Sequence, residues 1–177
     1  MGDPKKQRRR YSRPKHPWRL ERITEESELC KKYGLKNKSE IWRVKFKLDR
    51  VRQQARSLLG SSGEEVEKEK KELLDKLNKL GVLETRSLDD ILALSIEDLL
   101  ERRLQTLIYR KGLVNTLKQA RQFVVHGHVL VGDFVINVPG YIVPKDREEN
   151  ITLSETIKVI NVEEGRGGEK EASKEAG

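Results

Sequence analysis

The sequence predicts an α+β chain. An N-terminal helical domain, preceded by an extended basic arm, leads into a small helix–helix–hairpin module with a short mixed or antiparallel sheet. Three observations carry this reading. One apolar stripe recurs at helical spacing from Ile41 to Leu58. Helix starts (Thr, Asn or Ser) and glycine stops then alternate as far as Gly127. Beyond Gly127 the pattern changes to short apolar runs separated by turn residues, which is how strands read.

Composition limits what such a fold can bury. Of the 177 residues, 35% are hydrophobic and 37% charged, against about 45–50% and 25% in typical soluble domains. Part of so polar a chain is expected to be ordered by a partner. The net charge of +8 is segregated. Residues 1–60 hold 19 Lys/Arg against 7 Asp/Glu, and residues 61–100 hold 6 against 11. Residues 101–147 hold 8 against 3, and residues 148–177 hold 4 against 8. Two basic blocks alternating with acidic ones are the footprint of a polyanion binder with separate contact zones. Cys30 is the one cysteine, so no internal disulfide forms and a reducing compartment is expected. No run of 18 apolar residues occurs, and the N-terminus lacks the apolar core of a signal peptide. Lys6 stands where a myristoylation motif needs Ser or Thr. The expectation is a cytoplasmic protein with no membrane, no cofactor, no metal and no small-molecule substrate.

Residues 1–22 form the arm. It is proline-broken, with Arg8, Arg9, Arg10, Arg13 and Lys15 interleaved with Tyr11, His16 and Trp18. Lacking a periodic apolar face, it should be extended or disordered alone, and fold onto nucleic acid through arginine–phosphate contacts and base stacking. The alternative is a solvated tail or localisation signal.

Residues 23–100 make the helical domain. Thr24 is placed to cap a short helix running to about Tyr33, with Gly34 as its stop. Asn37 and Glu40 have capping-box spacing ahead of the strongest helix. There Ile41, Val44, Leu48, Val51, Ala55 and Leu58 form the stripe, while Arg43, Lys47 and Arg50 stand among six bases on the other faces. Only Glu40 and Asp49 oppose them, so this surface is expected to face RNA. Gly60-Ser61-Ser62-Gly63 is a hinge, and Glu64 to Leu80 an acidic, solvated helix with Val66, Leu73, Leu77 and Leu80 inward. Ser87 with Asp90, and Ser95 with Asp98, start two more helices. The second is expected to run to about Lys111, burying Leu99, Leu100, Leu104, Leu107 and Ile108.

Residues 101–162 make the module. Gly112 ends the preceding helix, and Thr116 caps a helix from Leu117 to His126 that Gly127 closes. Val129-Leu130-Val131 and Phe134-Val135-Ile136 flank Gly132-Asp133, which suits a type II′ hairpin. Pro139-Gly140 turns the chain into Tyr141-Ile142-Val143, expected as an edge or final strand, and further strand material follows at 151–153 and 157–160. Residues 163–177 are without periodicity and read as a disordered tail. Asn115, Thr116, Lys118, Gln119, Arg121 and Gln122 surround the start of the second helix, where free N–H groups favour phosphate. Arg102, Arg103, Arg110 and Lys111 add cations, and helical spacing places Arg103 and Arg110 on one face. An internal salt bridge is the bland alternative for Arg103 or Arg121. His126 and His128 lack the neighbours of a catalytic or metal site, so His128 is expected to steady a turn or touch RNA.

These residues carry a resemblance. Arg103-Leu104, Gly112-Leu113, Thr116, Ala120-Arg121 and Gly127-His128-Val129, followed by Val131, Val135, Asn137 and Pro139, resemble in order the RNA-binding domain of the ribosomal protein S-four family. Val114 stands where Ala is common, and Gly132-Asp133 replaces the usual Asn-Gly turn. The opening GDPKKQRRRYSRPKHPW and the stretch ITEESELCKKYGLKNKSEIWR resemble the N-terminal region of the archaeal/eukaryotic form, so the resemblance covers nearly the whole chain. Bacterial relatives with a four-cysteine zinc site are not matched, since only Cys30 is present.

The resemblance implies a structural, non-enzymatic constituent of the small ribosomal subunit. Such a protein binds small-subunit (16S-type) rRNA early and nucleates assembly of the subunit body. It also implies contacts with neighbouring proteins of the S-five and S-twelve families, a place near where mRNA enters, and an effect on translational accuracy. Two rivals share the module: an RNA-modifying or aminoacylating enzyme, and a free stress or maturation factor that binds RNA. The first needs a catalytic domain for which the helices and arm leave no sequence.

Overall fold

The computed structural model describes residues 11–83 and 87–154. Arg8, Arg9 and Arg10, the strand expected at 157–160 and the tail at 163–177 lie outside the described residues. Seven helices come first and a small sheet follows: α1 (Leu20–Lys32), α2 (Lys38–Leu59), α3 (Glu64–Lys79), α4 (Leu88–Ala93), α5 (Ile96–Glu101), α6 (Leu104–Arg110) and α7 (Leu117–Val125), then β1 (Val129–Val131), β2 (Phe134–Val135) and β3 (Ile151–Leu153). The strands are antiparallel in the order β2-β1-β3.

Two apolar cores organise the chain. In the first, Leu48, Ala55 and Leu58 of α2 pack with Leu73 and Leu77 of α3 and Ile91 of α4. Val44 and Val51, also on the stripe, are partly buried at its edge. Full burial of one such side chain is worth about 1.5–3 kcal/mol, so the stripe alone accounts for α2. In the second core, Leu104 and Ile108 of α6 and Ala120 and Val124 of α7 close over Val129 and Val131 of β1 and Ile151 of β3. Ala120 is fully buried, and its small side chain lets α6 and α7 approach. Ile142 belongs to the C-terminal half but packs against the first core, joining the two.

Local chemistry departs from the sequence reading in four places. Helix α1 begins at Leu20, with Arg19 as N-cap. Thr24 lies inside it, donating its hydroxyl to the carbonyls of Leu20 and Glu21. The arm is not free of the fold from residue 11 onward. The Tyr11 ring lies 6.1 Å from that of Trp42, and Arg22 Nη2 donates to the carbonyls of His16 and Pro17. The helix expected to run from Ser95 to about Lys111 is two helices. Arg103 has an extended backbone because the chain there forms a bridge to Ile142. The Leu104 N–H donates to Tyr141 O at 2.8 Å and the Val143 N–H to Arg102 O at 3.1 Å. Tyr141-Ile142-Val143 therefore spends its hydrogen bonds on this break rather than joining the sheet.

The hairpin matches expectation: Gly132 has φ +63°, and no non-glycine residue among those described has positive φ, as a type II′ turn requires. Both serine caps are present, and Ser95 with Asp98 forms the full reciprocal box.

Gly34 sets the joint between α1 and the module. It has φ +59°, and a Cβ there would sit 2.8 Å from Leu117 Cβ. Buried Gln105 fastens the same point, donating from Nε2 to Gly34 O at 3.1 Å and Leu117 O at 3.0 Å. Gly34→Ala is expected to lower stability by about 1–3 kcal/mol through left-handed strain and overpacking. Urea unfolding would measure it, and an unchanged midpoint would contradict the assignment.

Candidate nucleic-acid interface

A buried ion-pair cluster that joins α2 to the C-terminal half begins with a cap that is not made. Asn37 is the N-cap of α2 but makes no side-chain capping bond. Glu40 sends its carboxylate away from the helix end, onto two arginines of the C-terminal half. Arg103 Nη2 donates to Glu40 Oε2 at 2.7 Å, and Arg121 Nη2 donates to Oε1 at 2.8 Å. Burial alone would raise the pKa of Glu40, but the hydrogen bonds and charges of Arg121 and Arg103 outweigh it and hold the carboxyl below its ordinary range.

This correction removes Arg103 from the surface. Its side chain is 4% exposed, and it clamps α2 to the start of α6. The same break in the helix means that Arg103 and Arg110 do not share a face: Arg110 stands outside, paired with Glu101 at 2.9 Å. Arg102, also expected at the surface, is largely buried. It donates to Leu80 O, Val143 O and the Glu148 carboxylate. Lys111 donates to Glu148 O. Arg121 keeps 23% of its side chain exposed, so the outward guanidinium expected beside Ala120 is mostly directed at Glu40. Glu40 turns Arg103 and Arg121 inward, while Glu148 and the carbonyls of Leu80 and Val143 hold Arg102.

What remains accessible forms two faces. On the first, Gly112 closes α6 with φ +70°, and the tight turn that follows brings Thr116 to the N-cap of α7. The Thr116 hydroxyl accepts from Gln119 N, and the Gln119 side chain accepts from Asn115 N, so Gln119 holds the turn. Asn115, Thr116 and Lys118 are exposed at this helix start, and Gln122 is exposed one turn on. A groove of about 730 Å³ runs from them to Lys31 and Lys36 beside the joint, with Tyr109 along it. Those last three were not singled out from the sequence. For the two lysines the available signal was the set Lys31, Lys32, Lys36 and Lys38 on either side of the stop at Gly34.

The second face is α2. Arg43, Lys47 and Arg50 follow one another at spacings of four and three and are all exposed. The Arg43 guanidinium lies 5.8 Å from the centre of the Tyr11 ring. Arg52 is spent on Leu94 O. Of the arm residues, Arg13, Lys15 and Trp18 are exposed, Trp18 at 89%. His128 packs edge-on against Phe123, ring centres 6.4 Å apart. Among the described residues no group of three or more His, Cys, Asp or Glu is placed to hold a metal ion, and burial raises the Cys30 thiol pKa.

Comparison with known proteins fits this geometry. Residues 102–148 match the S4 domain family. The chain is 51% identical over 154 residues to small ribosomal subunit protein uS4 of Methanococcus aeolicus, covering 86% of this chain and 87% of that protein. It is 50% identical over 157 residues to the uS4 protein of Hyperthermus butylicus, covering 88% and 89%. Against that of Methanothermobacter thermautotrophicus it is 48% identical over 152 residues, covering 85% and 89%.

Proposed function

Because the chain belongs to the family of small ribosomal subunit protein uS4, we propose that it is a structural constituent of the small ribosomal subunit that binds small-subunit rRNA. The observation that supports this most is the exposed start of α7 within the S4 domain. Polar and cationic side chains there are set on a rigid two-helix surface and adjoin a second cationic face on α2. Phosphates would bind these faces by displacing counterions, and the fixed angle between them would select an RNA junction by shape. The protein works as a scaffold rather than by turnover, bound to ribosomes in the cytoplasm. It would bind early and nucleate the body of the subunit. The exposed Phe134 and Val135 of the hairpin are what a protein neighbour of the S-five or S-twelve family would cover, which is the route proposed for an effect on decoding accuracy.

Co-sedimentation with separated subunits tests the reading: the protein should travel with small subunits and compete with their own copy. Equal partition onto large subunits would favour the free stress factor instead. Lys118→Ala should reduce the slope of log affinity against log salt by about 0.9, one phosphate contact. Its stability should move by no more than about 0.5 kcal/mol, as for an exposed site. An unchanged slope would remove Lys118 from the interface.

A further inference from the structure

Between α2 and the turn at residues 138–142 lies a cleft of about 820 Å³, within the range of roughly 300–1,000 Å³ that small ligands occupy. We propose that this cleft holds one unstacked ribonucleotide of the bound RNA, its base against the apolar wall and its phosphate at the cationic lip. The proposal rests on the rRNA-binding reading above and names a subsite for it.

The two sides of the cleft differ in chemistry. Val138, Pro139 and Ile142 form one wall, with Val44 of α2 opposite. Val138 is 55% exposed, which carries the apolar wall out to the mouth of the cleft. Arg43 and Lys47 stand at the other side, and among the described residues neither is ion-paired with a carboxylate. Glu40, the one acidic residue on the lining, is already neutralised by two arginines. The cleft is therefore cationic at its lip and apolar at its wall, as a base with an attached phosphate requires. The Tyr11 ring, held beside Trp42 and Arg43, adds an aromatic surface on which any base can stack. A free phosphate would leave the apolar wall unused, and an uncharged apolar ligand would leave the cations unpaired.

The test uses the full chain and two measurements. In the first, AMP, GMP, CMP and UMP are titrated separately while amide shifts of Val44 and Gly140 are followed, with adenosine and inorganic phosphate as partial probes. The four nucleotides should bind at least about fivefold more tightly than either partial probe, the low end of what stacking one base contributes. Inorganic phosphate binding as tightly as AMP would reduce the cleft to a counterion site and overturn the proposal. A Glu-Trp dipeptide binding more tightly than all four nucleotides would reassign it to a protein partner.

In the second, Val138→Glu places a carboxylate at the exposed edge of the wall, where it threatens no core. Gly140→Leu fills the cleft from a turn whose φ is not positive and where a Cβ meets only Arg103 Nη2 at 3.7 Å. Each should weaken rRNA binding at least about fivefold, the loss of one stacked base, with an unchanged urea midpoint. Both variants binding rRNA like the parent would overturn the subsite and leave rRNA binding standing. A parent that takes nucleotides but not rRNA would overturn the function and with it the proposal.

Discussion

Arg103→Ala is expected to cost about 3–5 kcal/mol of folding stability, the range seen when one partner of a buried ion pair is removed. The Arg103 side chain is 4% exposed and that of Glu40 14%, so water cannot replace the lost donor. Arg121 alone would then have to compensate the carboxylate. Glu40→Ala should cost a similar amount, because it leaves Arg103 charged and buried. The double variant Glu40→Leu/Arg103→Met should recover much of the loss, since an apolar replacement of both partners leaves no fully buried charge without a partner. Chemical unfolding of the four proteins measures this. Equal, small losses in both single variants would show that the contact is a surface pair in solution.

The same carboxylate gives a pH dependence with a definite sign. Its folded pKa lies below the ordinary glutamate value, so the folded state binds fewer protons than the unfolded one. The stability it contributes is complete above about pH 4.3, the unfolded glutamate value, and is lost as pH falls through the folded value. Stability of Glu40→Gln should be lower at neutral pH and should decline less on acidification. A variant that tracks the parent below pH 4 would contradict this.

The second large effect concerns binding. Affinity for small-subunit rRNA should fall about 10³–10⁵-fold between 50 and 200 mM salt if roughly 6–10 phosphates are neutralised. The exposed cations of α2, the arm and the start of α7 are sufficient in number without Arg102 or Arg103. Filter binding across that salt range would check it. An affinity flat with salt would mean that recognition does not run through phosphates.

The helices were legible because each signal is local. The 41–58 stripe, the serine caps and the glycines at 34, 112, 127 and 132 act within one or two turns of chain. The sheet was legible for the same reason at the hairpin. The fate of the arginines was not, since it depends on residues far away in sequence. Arg102 and Arg103 sit in a helical pattern, and only the bridge to Ile142 pulls them out of it. Glu40 has the right spacing for a cap, and nothing nearby reveals that two better donors lie 63 and 81 residues further on. The exposed half of the candidate surface, Asn115, Thr116, Lys118, Arg43, Lys47 and Arg50, stands where helix phase alone puts it.

Those long separations matter while the chain is being made. At about 5–20 residues per second, the 81 residues between Glu40 and Arg121 take roughly 4–16 s to add. For that interval the first half can fold its own helices, but the Glu40 carboxylate waits 63 residues for Arg103 and the full 81 for Arg121. The clamp is therefore complete only after Arg121 is made, and the two cationic faces acquire their fixed angle only once translation has passed α7. A nascent chain halted before that point would expose the basic half of the surface without the geometry that lets it discriminate among RNAs.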